Sequence, residues 1–511
     1  MTRDGIAAGK QVSAHGGGEP GGASPSPPVD PLDSPDAGAR VIRGGVIRGI
    51  AYAVNILLIT ATVPLMTRHL GVVDFGRFVT ASSIVMIVAG VTEFGLTGVA
   101  TREYALADAA ERRRLLGNVI GLRTLATLLG LAIAFLLMLS GGSPGVVLVG
   151  ILISGAGLML INVQQTLALV LSTSLRWGLY SLFELVNTLV VAIGTVVLVL
   201  LGTGLLPFFY VSVISSLAAL AATLLVMRSH VMLRPRFEVG AWARLLRDSI
   251  PYAAATTVGI LYFRVALIVV SLGSGAEQTG YYSTAFKVVE AISGTAFLMA
   301  SSAFPIFARA GRDDHERLRY GSGRVSETAL IAGVYLALSL IVAAPLVIEV
   351  LAGTSFKAAV PVLRLQATSL IATFLGATWS LTLLSLREHR RMLQANALAL
   401  VLAVILSLAL VPSLGAEGAA AATAATEFVL AGAYWWSLGR SPARFRPSLG
   451  LAPKVLVAAA LAGAPALVLS IPSFFLWAIA SVIYLAVLLI LRAFPPELLH
   501  ALLRRDASVA Q

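Results

Sequence analysis

Glu93, Arg264, Lys287, Glu290 and Glu427 stand inside apolar runs long enough to cross a bilayer. A charge at the centre of a membrane helix costs roughly 2.5–3.5 kcal/mol on insertion scales, so it faces a partner or a wet cavity. The guanidinium of Arg264 has the chemistry to grip a phosphate bidentately, with the Lys287 ammonium as a second, point-like cation. It equally has the chemistry to pair with Glu290 and clip two helices together. Both readings stand, and neither excludes the other. Glu427, near the middle of its run, is either a protonatable coupling group or a neutral carboxyl hydrogen-bonded between helices. Glu93, Glu184 and Arg123 fall toward one end of their runs. They either line the mouth of a cavity or pair with Arg102, Arg176 or lipid headgroups. Asn55 shares a helical face with Tyr52 and Thr62 and is a cavity group or an interhelical hydrogen-bond partner. Asn162, Gln164 and Gln165 carry the same two readings.

These side chains need membrane helices to hold them. The chain has 511 residues, 58% hydrophobic and only 12% charged, with a mean hydropathy of +0.89. Soluble domains carry about 25% charged residues. Apolar runs follow one another at 46–67, 79–99, 117–139, 146–170, 180–201, 207–227, 250–272, 283–304, 326–348, 361–385, 393–411, 418–438, 455–471 and 474–491. They are continuous rather than alternating, as helical spans require. The fold class expected is therefore an all-α polytopic membrane protein with about fourteen transmembrane helices.

The connections alternate in charge. One set carries Arg43 and Arg48, Arg112 to Arg114, Arg176, Arg234 to Arg247, Arg309 to Arg324, Arg387 to Arg391, Arg440 to Arg446 and Arg504. The other holds Arg68, Arg77 and Lys357, and its turns near Ser143, Gly204, Ser274, Gly415 and Ser473 have no basic residue. Translocation disfavours basic loops, so the first set and both termini are assigned to the cytoplasm. That pattern accounts for the net charge of +12 without nucleic acid.

Residues 1–40 are rich in Gly, Pro, Ser and Asp and read as a disordered cytoplasmic tail. Helices 1–6 fill 41–227 and helices 7–12 fill 250–438. Helices 13–14 lie within 439–491, and 492–511 form a second cytoplasmic tail. Between the two large parts, 228–249 carries Trp242, Leu245 and Leu246 among arginines, an amphipathic cytoplasmic linker. The two parts echo one another: Leu70-Gly71 then Gly76 is answered by Leu272-Gly273 then Gly280, and Leu201-Gly202 by Leu414-Gly415. Parallel repeats with a pseudo-two-fold along the membrane normal follow, as two six-helix lobes plus two extra helices. A rise of 1.5 Å per residue puts Arg264 about 12 Å, Glu290 about 10 Å and Lys287 about 6 Å below the arginine-poor face.

The absence of cysteine excludes disulfides and thiolate chemistry. The six histidines all stand outside the spans, and no metal site is expected. No nucleotide loop or nucleophile elbow occurs, so neither bound ATP nor another cofactor is expected. The arginine-poor loops are short and leave no room for a catalytic domain that transfers lipid-linked sugars.

The sequence resembles the bacterial polysaccharide, or oligosaccharide-lipid, flippases of the multidrug/oligosaccharidyl-lipid/polysaccharide exporter superfamily. The resembling pieces are Pro64-Leu65 through Arg68-His69-Leu70-Gly71 with Phe75-Gly76-Arg77-Phe78, and Glu93-Phe94-Gly95-Leu96 with Thr101-Arg102-Glu103. Ser249-Ile250-Pro251, Gly280-Tyr281-Tyr282-Ser283, Phe304-Pro305, Gly353-Thr354-Ser355-Phe356 and Leu414-Gly415-Ala416-Glu417-Gly418 follow in order. The resemblance implies two lobes around a central cavity, alternating access and a bacterial inner membrane location. It implies a polyprenyl-diphosphate-linked oligosaccharide as cargo, with a polysaccharide polymerase or glycosyltransferases as partners. Substrate-binding residues would be Arg264, Lys287, Glu290, Asn55 and Glu93, with Glu427 for coupling. Peptidoglycan-precursor flipping fits the same architecture. A cation-coupled drug exporter fits the superfamily, although Arg264 argues against a cationic cargo. A sugar-transfer enzyme and a non-transporting scaffold are the rivals of other classes.

Overall fold

The computed structural model of the chain describes residues 37–93, 95–173, 177–227, 235–441 and 443–493. The expected tails therefore lie almost wholly outside the described residues, as do 228–234 of the expected linker. Among the described residues fourteen α-helices follow in order. They are α1 (Ala37–Glu93), α2 (Leu96–Leu106), α3 (Ala109–Ser140), α4 (Gly145–Thr173), α5 (Trp177–Leu200), α6 (Leu206–Val226) and α7 (Val239–Gly273). The second half holds α8 (Gly275–Asp313), α9 (His315–Ala352), α10 (Ala359–Ser385), α11 (His389–Gly439), α12 (Ala452–Gly463), α13 (Pro465–Val468) and α14 (Ser473–Ile490). A 3₁₀ turn, Thr354–Phe356, joins α9 to α10.

The helices do not coincide one to one with the expected spans. The first and second spans are one element, α1, broken only at Gly71 with φ 71°. The eleventh and twelfth are likewise one element, α11, broken at Gly415 with φ 55°. Both residues occupy the left-handed region open to glycine, so each turns the chain without a loop. Among the described residues ten stretches have the length and composition to cross a membrane, and two of them, Ala61–Tyr104 and His389–Gly439, contain these breaks. The shorter apolar pieces Arg264–Gly273 and Ala452–Gly463 complete the set. The protein is thus an all-α polytopic membrane protein of about fourteen crossings. Only helices satisfy their own backbone in hydrocarbon, and these Leu-, Val- and Ala-rich runs form them for that reason. At the arginine-rich end the Asp108 side chain accepts from the Ala110 and Glu111 amides to cap α3. Asp314 accepts from the Arg317 amide to cap α9.

Two groups of helices pack among themselves. In the first, α1 lies against α3, α4 and α5, while α4 and α5 both hold α6. In the second, α10 is central and touches α8, α9 and α11, and α7 lies on α11. α12 and α14 sit on the outer side of α9. There Tyr484 donates to the Ile331 carbonyl at 2.9 Å, and the buried Ala458, Ala462 and Ala480 allow close approach.

The groups meet differently at their two ends. At the arginine-poor end the contact is tight. Thr67 Oγ1 donates to the Leu351 carbonyl at 2.8 Å, and Arg68 donates to the carbonyls of Glu349 and Val350 at 3.0 and 2.6 Å. Phe75 meets Phe356 edge to face with centroids 6.2 Å apart. Gly76 lies against the backbone of Ala276 and Gly280, where any Cβ would collide with the Ala276 carbonyl. The turn between α7 and α8 is the single residue Ser274, which tightens this end further.

At the arginine-rich end the start of α7 and the residues just before it bridge the groups, with the Arg236 amide donating to the Gly117 carbonyl at 3.0 Å. Val239 is already helical, and the helix runs on to Gly273. Trp242, Leu245 and Leu246 pack among Leu96, Leu116, Val119, Leu122 and Leu169 of the first group. Arg114 hydrogen-bonds Glu238, and that bond holds the Glu238 carboxyl below the usual carboxylate range. Trp242 Nε1 donates to the Asn118 carbonyl at 3.1 Å.

Candidate functional site

A cavity of about 800 Å³ lies between the two groups, in the half of the bundle toward the arginine-rich end. One wall is Met86, Ala89, Gly90 and Glu93 of α1 with Leu158, Ile161, Asn162 and Gln165 of α4. The facing wall comes from α7, α8, α10 and α11. The run Leu-Tyr-Phe-Arg-Val, 261–265, buries an arginine because α7 turns that face inward, between α8 and α11.

Arg264 is 8% exposed and lines the cavity. Its Nη2 donates to Glu290 Oε1 at 3.1 Å, and its guanidinium carbon lies 5.5 Å from the centre of the Phe286 ring. Glu290 also lines the cavity. Its other oxygen, Oε2, is 3.6 Å from Lys287 Nζ. Lys287 itself is not part of the cavity wall. α8 begins at Gly275 instead of near 283, so Lys287 and Glu290 lie about 18 and 22 Å along it.

Glu93 lines the cavity on the opposite wall. It accepts from the amides of Gly95 and Thr97 at 3.0 and 3.2 Å, across the break between α1 and α2. Its charged neighbour is Arg123, 3.6 Å away and only 3% exposed, while the alternative partner Arg176 lies outside the described residues. Arg123 also donates to the hydroxyls of Thr97 and Thr166 at 2.5 and 3.2 Å. Glu184 is exposed and away from the cavity. Asn55 is half-buried and is not in the wall either. Asn162 and Gln165 are in the wall, and Asn162 Nδ2 donates to Thr127 Oγ1 at 3.0 Å.

Glu427 lines the cavity from α11. Tyr262 donates to its Oε1 at 2.7 Å, and Thr373 donates to its Oε2 at 3.2 Å. A side pocket of about 30 Å³ extends behind it, bounded by Gln366, Ser407 and Thr423 among others. Tyr262, Thr373, Ser293, Ser380, Asn396 and Tyr434 are polar wall residues that sequence reasoning did not single out. Tyr434 donates to Asn396 Oδ1 at 2.8 Å. Their signal in the sequence is weak, because isolated hydroxyls and amides occur throughout membrane helices as hydrogen-bond partners. Among the described residues no group of three or more His, Cys, Asp or Glu side chains converges as a metal site.

A cavity with a few charged side chains in a largely apolar wall thus lies between two packed groups of membrane helices. The sequence places the chain more closely: residues 41–310, over half of it, match the family of polysaccharide biosynthesis proteins, and the chain belongs to that family. No curated protein matches the sequence. Among solved structures the fold is similar to that of the lipid II flippase MurJ in an inward closed conformation. The likeness has a TM-score of 0.70 at 15% identity and covers 90% of this chain and 100% of that one. An inward-facing multidrug resistance MATE family transporter of the MOP superfamily matches with a TM-score of 0.60 at 15% identity, over 77% of this chain and 97% of its own. A MOP superfamily transporter from Pyrococcus furiosus matches with a TM-score of 0.54 at 15% identity, over 78% and 95%.

Proposed function

We propose that the protein is a flippase for a polyprenyl-diphosphate-linked oligosaccharide, acting by alternating access in the bacterial inner membrane, and not an enzyme. The observation that carries this reading is Arg264 in the wall of a cavity of about 800 Å³ between the two helix groups. Membership of a polysaccharide biosynthesis family supports a sugar-bearing cargo. The groups act as two lobes, residues 41–227 and 250–438, with 439–491 as an accessory pair and both termini cytoplasmic. The arginine-rich face is cytoplasmic, so the conformation described is inward-facing, with Thr67, Arg68, Phe75 and Gly76 forming the closed outer end.

The headgroup enters the cavity from the inner face while its polyprenyl tail stays in lipid. The diphosphate takes Arg264, for which a guanidinium provides two parallel donors. Glu290 then gives up Arg264 and keeps Lys287, already 3.6 Å from its second oxygen. Glu93 and Asn55 contribute to the headgroup path in the first lobe. Glu427, between the hydroxyls of Tyr262 and Thr373, is the coupling group. Rocking of the lobes breaks the outer contacts and opens the cavity outward.

Reconstitution in proteoliposomes tests the reading. A fluorescent polyprenyl-diphosphate oligosaccharide should cross the bilayer only with protein present. Transport of a peptidoglycan lipid precursor in its place would reassign the cargo, and transport of neither would remove the flippase reading.

A further inference from the structure

The charges that line the cavity are already matched by other protein groups. Arg264 is matched by Glu290 at 3.1 Å and Glu93 by Arg123 at 3.6 Å. Glu427 is met by the hydroxyls of Tyr262 and Thr373. Among the described residues Arg264 is the sole basic side chain of the wall, against the carboxyls of Glu93, Glu290 and Glu427. The chain's surplus of positive charge, +12 overall, is carried elsewhere. The remaining polar wall is uncharged: Asn162, Gln165, Ser293, Ser380, Asn396 and Tyr434.

This division has a consequence for the cargo. Arg264 answers the diphosphate, and among the described residues no second wall cation answers any further anion. Asn162 and Gln165 of α4, with Glu93 of α1, lie from Arg264 toward the arginine-rich end, where the sugars of an entering headgroup would sit. Amides and hydroxyls there exchange hydrogen bonds with sugar hydroxyls at little net cost. A sugar carboxylate would be desolvated beside carboxyls with no counter-charge, which is strongly unfavourable. We propose that this cavity accepts headgroups whose sugars are neutral or amino sugars and rejects those bearing a uronic acid or another acidic sugar. The proposal rests on the flippase reading above, and specificity here comes from a repulsive element as much as an attractive one.

The test uses the full chain in proteoliposomes and two probes that differ by one carboxylate. One is a polyprenyl-diphosphate carrying a neutral disaccharide. The other is the same lipid with the terminal sugar oxidised to the uronic acid. The neutral probe should flip at least about tenfold faster, because like-charge juxtaposition is costly enough to discriminate on that scale or more. Gln165→Lys places a cation in the wall, on a side chain already exposed to the cavity, and should narrow that gap by accelerating the acidic probe. Equal rates for the two probes in the parent protein would overturn the proposal while leaving the flippase reading intact. A preference for the acidic probe would do the same. If neither probe moves, both readings fall together.

Discussion

Arg123 and Glu93, in the first group of helices, meet at 3.6 Å, and Arg264 and Glu290, in the second, meet at 3.1 Å. The side chain of Arg123 is 3% exposed and that of Glu93 32%. The corresponding values are 10% and 36% for Arg264 and Glu290. The resemblance ends with the neighbours. Arg123 stands behind the cavity wall with two threonine hydroxyls as further acceptors, so nothing that enters the cavity reaches it first. Arg264 stands in the wall, and its carboxylate has a second cation within reach. A buried cation whose partners are all protein groups is a fixture. A wall cation whose partner has an alternative is exchangeable, and exchange is what a passing phosphate requires.

The comparison breaks most severely if the fixture is removed. Arg123→Met takes the counter-charge from the Glu93 carboxylate and a donor from the Thr97 and Thr166 hydroxyls. Breaking a buried pair costs about 3–5 kcal/mol, and the partial exposure of Glu93 places this one at the lower end. The amount of monodisperse protein extracted from membranes should fall sharply, and the melting temperature with it. Arg123→Met combined with Glu93→Gln should recover much of both, because replacing both partners can be nearly neutral. Parental yield from Arg123→Met alone would show that the first pair is no fixture.

The second pair should fail in the opposite way, in transport more than in folding. Arg264→Ala with Glu290→Ala leaves no stranded charge, so the protein should assemble near parental levels. Flipping should drop by about thirtyfold or more, taking roughly 2 kcal/mol as the smaller figure for losing a buried charged contact. Arg264→Lys keeps charge but loses the planar fork, so its rate should fall between the two. A fully active double variant at normal expression would reduce Arg264 to a clip between α7 and α8.

The sequence made the spans legible, and the depth of each charge along them only in part. Continuous apolar runs and alternating arginines are one-dimensional signals, and a membrane reads them in one dimension. Gly71 and Gly415 were visible as recurring Leu-Gly pairs, but not that each replaces a loop with one residue of positive φ. The start of α8, eight residues before the expected span, was not legible either. Rotation about the helix axis was not legible at all. It is set by packing between helices, and it decides that Glu290 enters the wall while Lys287, three residues earlier, does not. Pairings across long stretches, such as Tyr262 with Glu427 and Glu93 with Arg123, leave no local pattern to read.

The smallest expected effect belongs to Lys287, and it is the most specific to exchange. Glu290 offers one oxygen to Arg264 at 3.1 Å and the other to Lys287 at 3.6 Å. The lysine pair joins residues three apart on α8, and both side chains are 36% exposed. Such an exposed pair contributes about 0.2–1 kcal/mol, so folding should barely change in Lys287→Met. Transport should change through competition. With Lys287 present, Glu290 keeps a cation when cargo phosphate takes Arg264. Without it, Glu290 must be stranded, so the cargo works against a stronger hold on Arg264. The half-saturating cargo concentration should rise by up to about fivefold, the equivalent of 1 kcal/mol, with the maximal rate less affected. In Lys287→Met with Glu290→Gln no carboxylate competes, and the shift should vanish. If it persists there, Lys287 acts on the cargo directly rather than through Glu290. If Lys287→Met alone leaves the half-saturating concentration unchanged, Glu290 does not exchange between the two cations, and the second pair is as fixed as the first.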